Sequence, residues 1–222
     1  MVTKIYLIRH AEADGNAKEF FQGNIDTPLT VKGEQQLDCL SERFAETPLD
    51  AVVTSPFQRA KLTAEAINRH HQLPISPEYD LREINGGEWE GRAWAELPTL
   101  FPREYELWTT KMWLFHAPEG DTMTDVFFRM QGIMERIARA HAGQTVAVVS
   151  HGCAVRNFLA YAEFGDISRL PDVGWSDNTA VSLLVFDSDT AKWSLIFKND
   201  STHLPPELST LKQSRWNRYE KN

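Results

Sequence analysis

Cysteine is nearly absent from this 222-residue chain. Its two copies, Cys39 and Cys153, are too few for a disulfide framework or a cysteine-ligated zinc site. Long apolar runs are missing too, and nothing approaches the roughly eighteen uninterrupted apolar residues of a membrane span. The N-terminus runs straight into Ile5-Tyr6-Leu7-Ile8, without the basic start and cleavage site of a secretory leader. These absences lead us to expect a cytoplasmic protein with no membrane partner. Positive charge is in deficit: 23 Lys and Arg against 31 Asp and Glu give a net charge of −8. A field of that sign argues against a general nucleic-acid binder, although a local arginine cluster can still hold an anion. No histidine–carboxylate group has metal-ligand spacing, so we expect no metal and no cofactor. No repeat or low-complexity tract interrupts the chain.

What is present is an alternation of strands and helices. Short apolar runs at about 3–9, 50–54 and 145–149 have the pattern of strands covered on both faces. Two further strands, at about 180–187 and 192–198, are joined through Asp187-Ser188-Asp189 as an edge hairpin. Thr30 can cap a helix whose Leu37, Leu40 and Phe44 share one side. Ser55-Pro56 is expected to start a second helix, with Ala60, Thr63, Ala64 and Ile67 inward. A third runs from about Thr122 to His141 and a fourth from Gly152 through Phe164. The expected fold class is α/β, a mostly parallel central sheet with helices on both faces. Residues 84–121 hold four tryptophans, two phenylalanines and no clean strand, and read as a helical lid insertion. We expect a single domain over 1–204, followed by a surface tail at 205–222.

Two strand ends carry chemistry. The first strand closes on Arg9-His10, a later one on Ser150-His151-Gly152, and the C-terminal edge of such a sheet is where ligands bind. Nε2 or Nδ1 of His10 would attack phosphorus while Arg9 forks onto phosphoryl oxygens. Small Ala11 and Gly15 would let backbone amides approach the ligand. His151 would stabilise charge on the transferring group, and Gly152 opens a helix whose first amides favour an anion. Arg59 would add a second guanidinium. A carboxyl must also give a proton to the leaving oxygen; on chemistry alone Glu12, Glu83, Glu88 and Glu90 all qualify. Asn16, Gln22, Gly23 and the Asn178-Thr179-Ala180 turn would add polar contacts. Cys153 reads as a packing residue, and His70, His71, His116 and His141 have no partner spacing.

Arg9-His10-x-Glu12, continued by Asn16-x5-Gln22-Gly23-x2-Asp26-x-Pro28-Leu29-Thr30-x2-Gly33, resembles the histidine phosphatase superfamily, also called the phosphoglycerate mutase-like family. Further segments resemble that family in order: Ser55-Pro56-x2-Arg59-Ala60-x2-Thr63-Ala64, Leu81-x-Glu83-Ile84-x3-Glu88-Trp89-Glu90-Gly91, Pro118-Glu119-Gly120-Asp121 with Arg129, Ser150-His151-Gly152 with Arg156, and Asn199-Asp200-x2-His203-Leu204. The resemblance spans about residues 3–204. It implies Arg9, His10, Arg59, Glu83 and His151 as the catalytic set, with Glu83 as acid and then base. Ala11 and Ala13 stand where the family commonly has glycine and threonine.

The family divides mainly into hydrolases and mutases. A mutase must neutralise a carboxylate and a second phosphate, yet 84–121 offers only Arg92, Arg103 and Lys111 as cations. The expectation is therefore a metal-independent phosphatase acting through a phosphohistidine on a small-molecule phosphomonoester. A phosphoglycerate mutase, a protein-phosphohistidine phosphatase and a regulatory module are the alternatives. Exposed aromatics would suit a homodimer.

Overall fold

The computed structural model describes residues 1–213. Its elements are β1 (Val2–Arg9), α1 (Asp14–Ala17), α2 (Val31–Phe44), β2 (Ala51–Thr54), α3 (Gln58–Asn68), β3 (Ile75–Pro77), α4 (Leu97–Leu100), α5 (Pro102–Thr110), α6 (Met123–Ala140), β4 (Thr145–Ser150), α7 (Gly152–Phe164), β5 (Val181–Asp187), β6 (Lys192–Asp200) and α8 (Thr210–Gln213). One six-stranded sheet has the order β3-β2-β4-β1-β5-β6. β3, β2, β4 and β1 run parallel, and β5 and β6 close one edge as an antiparallel hairpin. This is the expected fold class.

Side-chain alternation along the strands builds two cores. Ile5 and Leu7 of β1, with Val146 and Val148 of β4, pack against α6 and α7. Ile8, with Ala147 and Val149, faces the other way onto α2 and α3. The expected inward residues of α6, from Val126 to Ile137, are all buried, and Thr122 caps that helix by accepting the N–H of Asp125. Thr30 caps α2 by accepting from Gly33.

Three local expectations differ from the structure. α3 begins at Gln58 rather than at Ser55-Pro56, because the Asp26 carboxylate accepts the Gln58 N–H at 2.9 Å and fixes the first turn there. Ile75–Pro77 adds a short edge strand, where a proline is tolerated. The stretch from Pro205 is not wholly a surface tail. Ser209 and Thr210 are 3% and 7% exposed, and Pro206–Leu208 and α8 fold back onto the domain. The rest of the expected tail, 214–222, lies outside the described residues.

The 84–121 segment is helical, as expected, and carries α4, α5 and short 3-10 turns. It is held by an aromatic cluster. Trp89 is fully buried, with Phe115 at 4.8 Å and Phe21 at 5.6 Å between ring centroids. Backbone bonds Phe21 N to Arg92 O and Gly91 N to Phe21 O stitch it to the segment that follows β1.

Candidate active site

Strand register assembles the centre of the site. β1 and β4 are paired with Arg9 opposite Ser150, so the next residues, His10 and His151, leave the sheet side by side. Their ring centroids lie 5.1 Å apart. β2 pairs with β4 on the other side, Thr54 opposite Val149, which brings Ser55 beside His151. The Ser55 hydroxyl lies 2.7 Å from His151 Nε2.

A hydrogen bond selects the His10 tautomer. His10 Nδ1 is 2.7 Å from the carbonyl of Ala11, and a carbonyl can only accept. Nδ1 therefore carries the proton and Nε2 keeps the lone pair. Burial, with Arg59 and Arg9 nearby, holds the His10 pKa well below the ordinary histidine value, so the ring is neutral. Burial does the same to His151, reinforced by Arg59, His10, Arg129 and Arg9. With the Ser55 hydroxyl donating to Nε2 of a neutral His151, its Nδ1 carries the hydrogen.

Both arginines are oriented by backbone carbonyls. Arg9 Nη1 donates to Ser176 at 2.6 Å, Arg59 Nη1 to Ile25 at 2.8 Å and Arg59 Nη2 to Gly23 at 2.7 Å. Burial lowers the Arg59 pKa to about 10, which still leaves it charged at neutral pH. Among the described residues, Arg9 Nε, Arg59 Nε and His151 Nδ1 are buried without a hydrogen-bond partner. A buried unpaired donor costs about 1–3 kcal/mol. The two guanidinium donors, joined by His151 Nδ1 in the tautomer where Ser55 donates to Nε2, would be satisfied by an oxyanion that supplies several acceptors.

The four carboxylates sort themselves. Glu83 Oε2 accepts from the N–H of Cys153 at 2.9 Å, and Oε1 accepts from Ala154 and Ile84 at 3.0 Å each. The first amides of α7 are expected to favour an anion, and those of Cys153 and Ala154 hold the protein's own Glu83 carboxylate. Arg129 supports the same segment by donating to the carbonyls of Asp80 and Arg82. Glu12 is engaged by Thr30, Thr210 and Lys32. Glu90 accepts from Asn24 and Gly86, while Glu88 is exposed. Of the four, Glu83 alone lines the cavity.

That cavity, about 720 Å³ with its open mouth, is lined at its polar end by Arg9, His10, Arg59, Glu83 and Gly152, with Asn16, Gln22 and Gly23 beside them. Asn16 Oδ1 accepts from Ala13, and Gln22 Nε2 donates to Thr27. The amide of Ala11 is bonded to Thr63 Oγ1, so it is not free for a ligand. Gly15 is needed for another reason: a Cβ there would lie 2.0 Å from the Gln22 side chain. Gly152 likewise lets the Arg9 guanidinium lie against the start of α7, since a Cβ would sit 3.2 Å from Nε. Asn178 donates to the His10 carbonyl and does not line the cavity. Cys153 is buried with its thiol pKa pushed well up, as suits a packing residue.

The apolar end of the cavity is formed by Phe20, Phe21, Trp94, Trp108 and Trp175, with Thr210 and Leu211 from the C-terminal segment. Phe20, Phe21, Trp175, Thr210 and Leu211 were not singled out from the sequence. Arg92, Arg103 and Lys111 do not line it, nor do Trp113 and Phe115. Among the described lining residues, Arg9 and Arg59 are the only Arg or Lys.

An α/β sheet whose adjacent parallel strands deliver Arg9, His10 and His151 to one edge, where Arg59 of α3 joins them, defines the class. Comparison with known sequences agrees. The profile of the Histidine phosphatase superfamily (branch 1) matches residues 5–200, and the chain belongs to that family. It is 29% identical over 183 residues to Phosphoserine phosphatase 1 of Hydrogenobacter thermophilus, covering 82% of this chain and 86% of that one. It is 28% identical over 205 residues to Phosphoglycerate mutase-like protein 4 of Arabidopsis thaliana, covering 90% and 86%. The solved structure of Bacillus stearothermophilus YhfR superposes with a TM-score of 0.86 at 29% identity, covering 90% of this chain and 98% of that one.

Proposed function

We propose that the chain is a phosphomonoester hydrolase that works through a phosphohistidine at His10 Nε2. The observation that carries this reading is the neutral His10, protonated on Nδ1 and buried between two guanidiniums with unpaired donors. Nε2 attacks phosphorus as the ester P–O bond breaks. Arg9, Arg59 and His151 Nδ1–H receive the equatorial oxygens and stabilise their charge. Glu83 gives its proton to the leaving oxygen, then takes one from the water that cleaves the P–N bond and releases phosphate. Oε2 has a second lone pair beyond the one engaged by Cys153, so it can carry that proton. The two arginines supply the positive charge, the neutral His151 supplies a further hydrogen-bond donor, and the reaction runs without a metal.

The lining favours hydrolysis over mutase chemistry. A bisphosphate or a carboxylate-bearing substrate needs cations besides those that hold the reacting phosphoryl group, and the walls are aromatic instead. The proposed substrates are small phosphomonoesters with apolar or aromatic leaving groups. Cys39 and Cys153 are free, which fits the reducing cytoplasm. Reaction with a 32P-labelled aryl phosphate, quenched in base, should trap an alkali-stable, acid-labile adduct that His10→Ala cannot form, and a chelator should leave turnover intact. Near-normal turnover by His10→Ala, or activity that needs an added divalent ion, would sink the proposal.

A further inference from the structure

We infer that the C-terminal segment Ser209–Leu211 is a substrate-selecting wall of the cavity, with Leu211 as its contact residue; this rests on the hydrolase reading above. Thr210 and Leu211 line the cavity, although they lie 200 and 201 residues from His10 in sequence. Their position is fixed from two sides, and both sides are part of the nucleophile's own support.

On one side stands the loop 176–179. Its Ser176 carbonyl holds Arg9, and its Asn178 side chain holds the carbonyl of His10. Between them Asp177, 3% exposed, turns its carboxylate to the C-terminal segment. Oδ1 accepts the N–H groups of Thr210 at 2.9 Å and Leu211 at 3.2 Å, and Oδ2 accepts from Ser209 Oγ at 2.5 Å. On the other side Glu12, two residues beyond His10, accepts from Thr210 Oγ1 at 3.0 Å. Gln36 accepts the Glu12 N–H and donates to the Leu208 carbonyl. A buried carboxylate with three donors from one short segment holds that segment in one register. The half-buried Leu211 is thereby set at a fixed place in the wall, among aromatic side chains. A substrate whose phosphoryl group sits on Arg9 and Arg59 extends its leaving group along that wall. Leu211 then favours an apolar group there, and Ser209 and Thr210 act as positioning residues.

The test compares binding of two probes to the full-length protein by tryptophan fluorescence: 1-naphthylmethylphosphonate, which cannot be hydrolysed, and inorganic phosphate. The unaltered protein should bind the aryl phosphonate more tightly. Leu211→Ala should cut that preference about fivefold or more, chiefly through the aryl probe, since lost apolar contact in a pocket carries about tenfold per small group. Ser209→Ala, which frees Asp177 Oδ2, should shift it in the same direction and covers the case in which Leu211→Ala folds poorly. Lys212→Ala, an exposed neighbour, should retain it. A preference unchanged within twofold in both Leu211→Ala and Ser209→Ala overturns the wall, as does equal weakening of both probes. Failure of the hydrolase reading shows separately, as an unaltered protein that binds the probes but does not turn over 4-nitrophenyl phosphate.

Discussion

Oε2 of Glu83 receives the N–H of Cys153 at 2.9 Å, so the proposed acid is aimed by the same helix that begins after His151. Glu83→Gln keeps one acceptor oxygen, enough for Ala154 and Ile84 but not also for Cys153, and has no acidic proton to transfer. A loss of roughly 10²–10⁴ in kcat is expected. It should be larger for an alkyl phosphate than for an aryl one, because a phenoxide leaves with little help. Steady-state rates on both ester types decide it: equal losses would mean that the carboxyl only orients α7. Glu12→Gln and Glu90→Gln should instead act mainly on stability, since both side chains are tied to loops.

The fold was legible because its strands are short apolar runs and its long helices carry clean inward stripes. The edge strand Ile75–Pro77 escaped notice because three residues ending in proline show no alternation. The site was legible by motif, but several roles were not. Glu83 could not be told from Glu12, Glu88 and Glu90 by chemistry, because the difference lies in partners distant in sequence such as Thr210 and Asn24. The C-terminal contacts left no local signal: Ser209 and Thr210 are ordinary polar residues until Asp177 is placed beside them. The lid tryptophans were visible as a group, yet which of them face the cavity depends on how α5 packs on Phe21.

His10 should remain neutral across the ordinary histidine range. Burial is the leading cause of its lowered pKa, and the Arg59 and Arg9 charges add to it. Its ring signals in an NMR titration should therefore show no midpoint near 6.5. Arg59→Gln removes one repulsive charge and should move the His10 midpoint upward, while burial keeps it below the free value. A His10 midpoint at about 6.5 in the unaltered protein would contradict the site electrostatics.

His203 should tie stability to pH. Its Nδ1 accepts from Arg43 Nη1 at 3.0 Å and its Nε2 donates to Thr179 Oγ1 at 3.1 Å, which fixes the neutral form. Burial, with the Arg43 charge, lowers its pKa to about 4. Between about 6.5 and 4 the unfolded chain binds a proton at this residue that the folded chain does not. Its contribution to stability is therefore lost as pH falls through that window. Thermal melts should show a shallower loss of Tm for His203→Gln over that window than for the unaltered protein. A parallel slope would show that the residue does not titrate there. His10 and His151 add losses of the same sign, so the slope should shrink without vanishing.

The aromatic wall should set substrate preference, through only some of the aromatic residues of the 84–121 segment together with Trp175. Trp94 and Trp175 line the cavity and are partly exposed, whereas Trp113 does not reach it and Phe115 is 1% exposed beneath it. Trp94→Ala should raise KM for a naphthyl phosphate about three- to tenfold relative to a small alkyl phosphate, with kcat little changed. Trp113→Ala should leave that ranking alone. Phe115→Ala should cost stability of about 3–5 kcal/mol through the cavity it opens against Trp89 and Trp108, visible as a lower Tm. The same wall bears on mutase chemistry. In the proposed reaction Arg9 and Arg59 hold the reacting phosphoryl group, which among the described lining residues leaves no Arg or Lys for a carboxylate or a second phosphate. Added 2,3-bisphosphoglycerate should therefore not yield efficient interconversion of 3- and 2-phosphoglycerate. If that interconversion outruns hydrolysis of every phosphomonoester assayed, the aromatic surface is not what selects the substrate and the chain is a mutase.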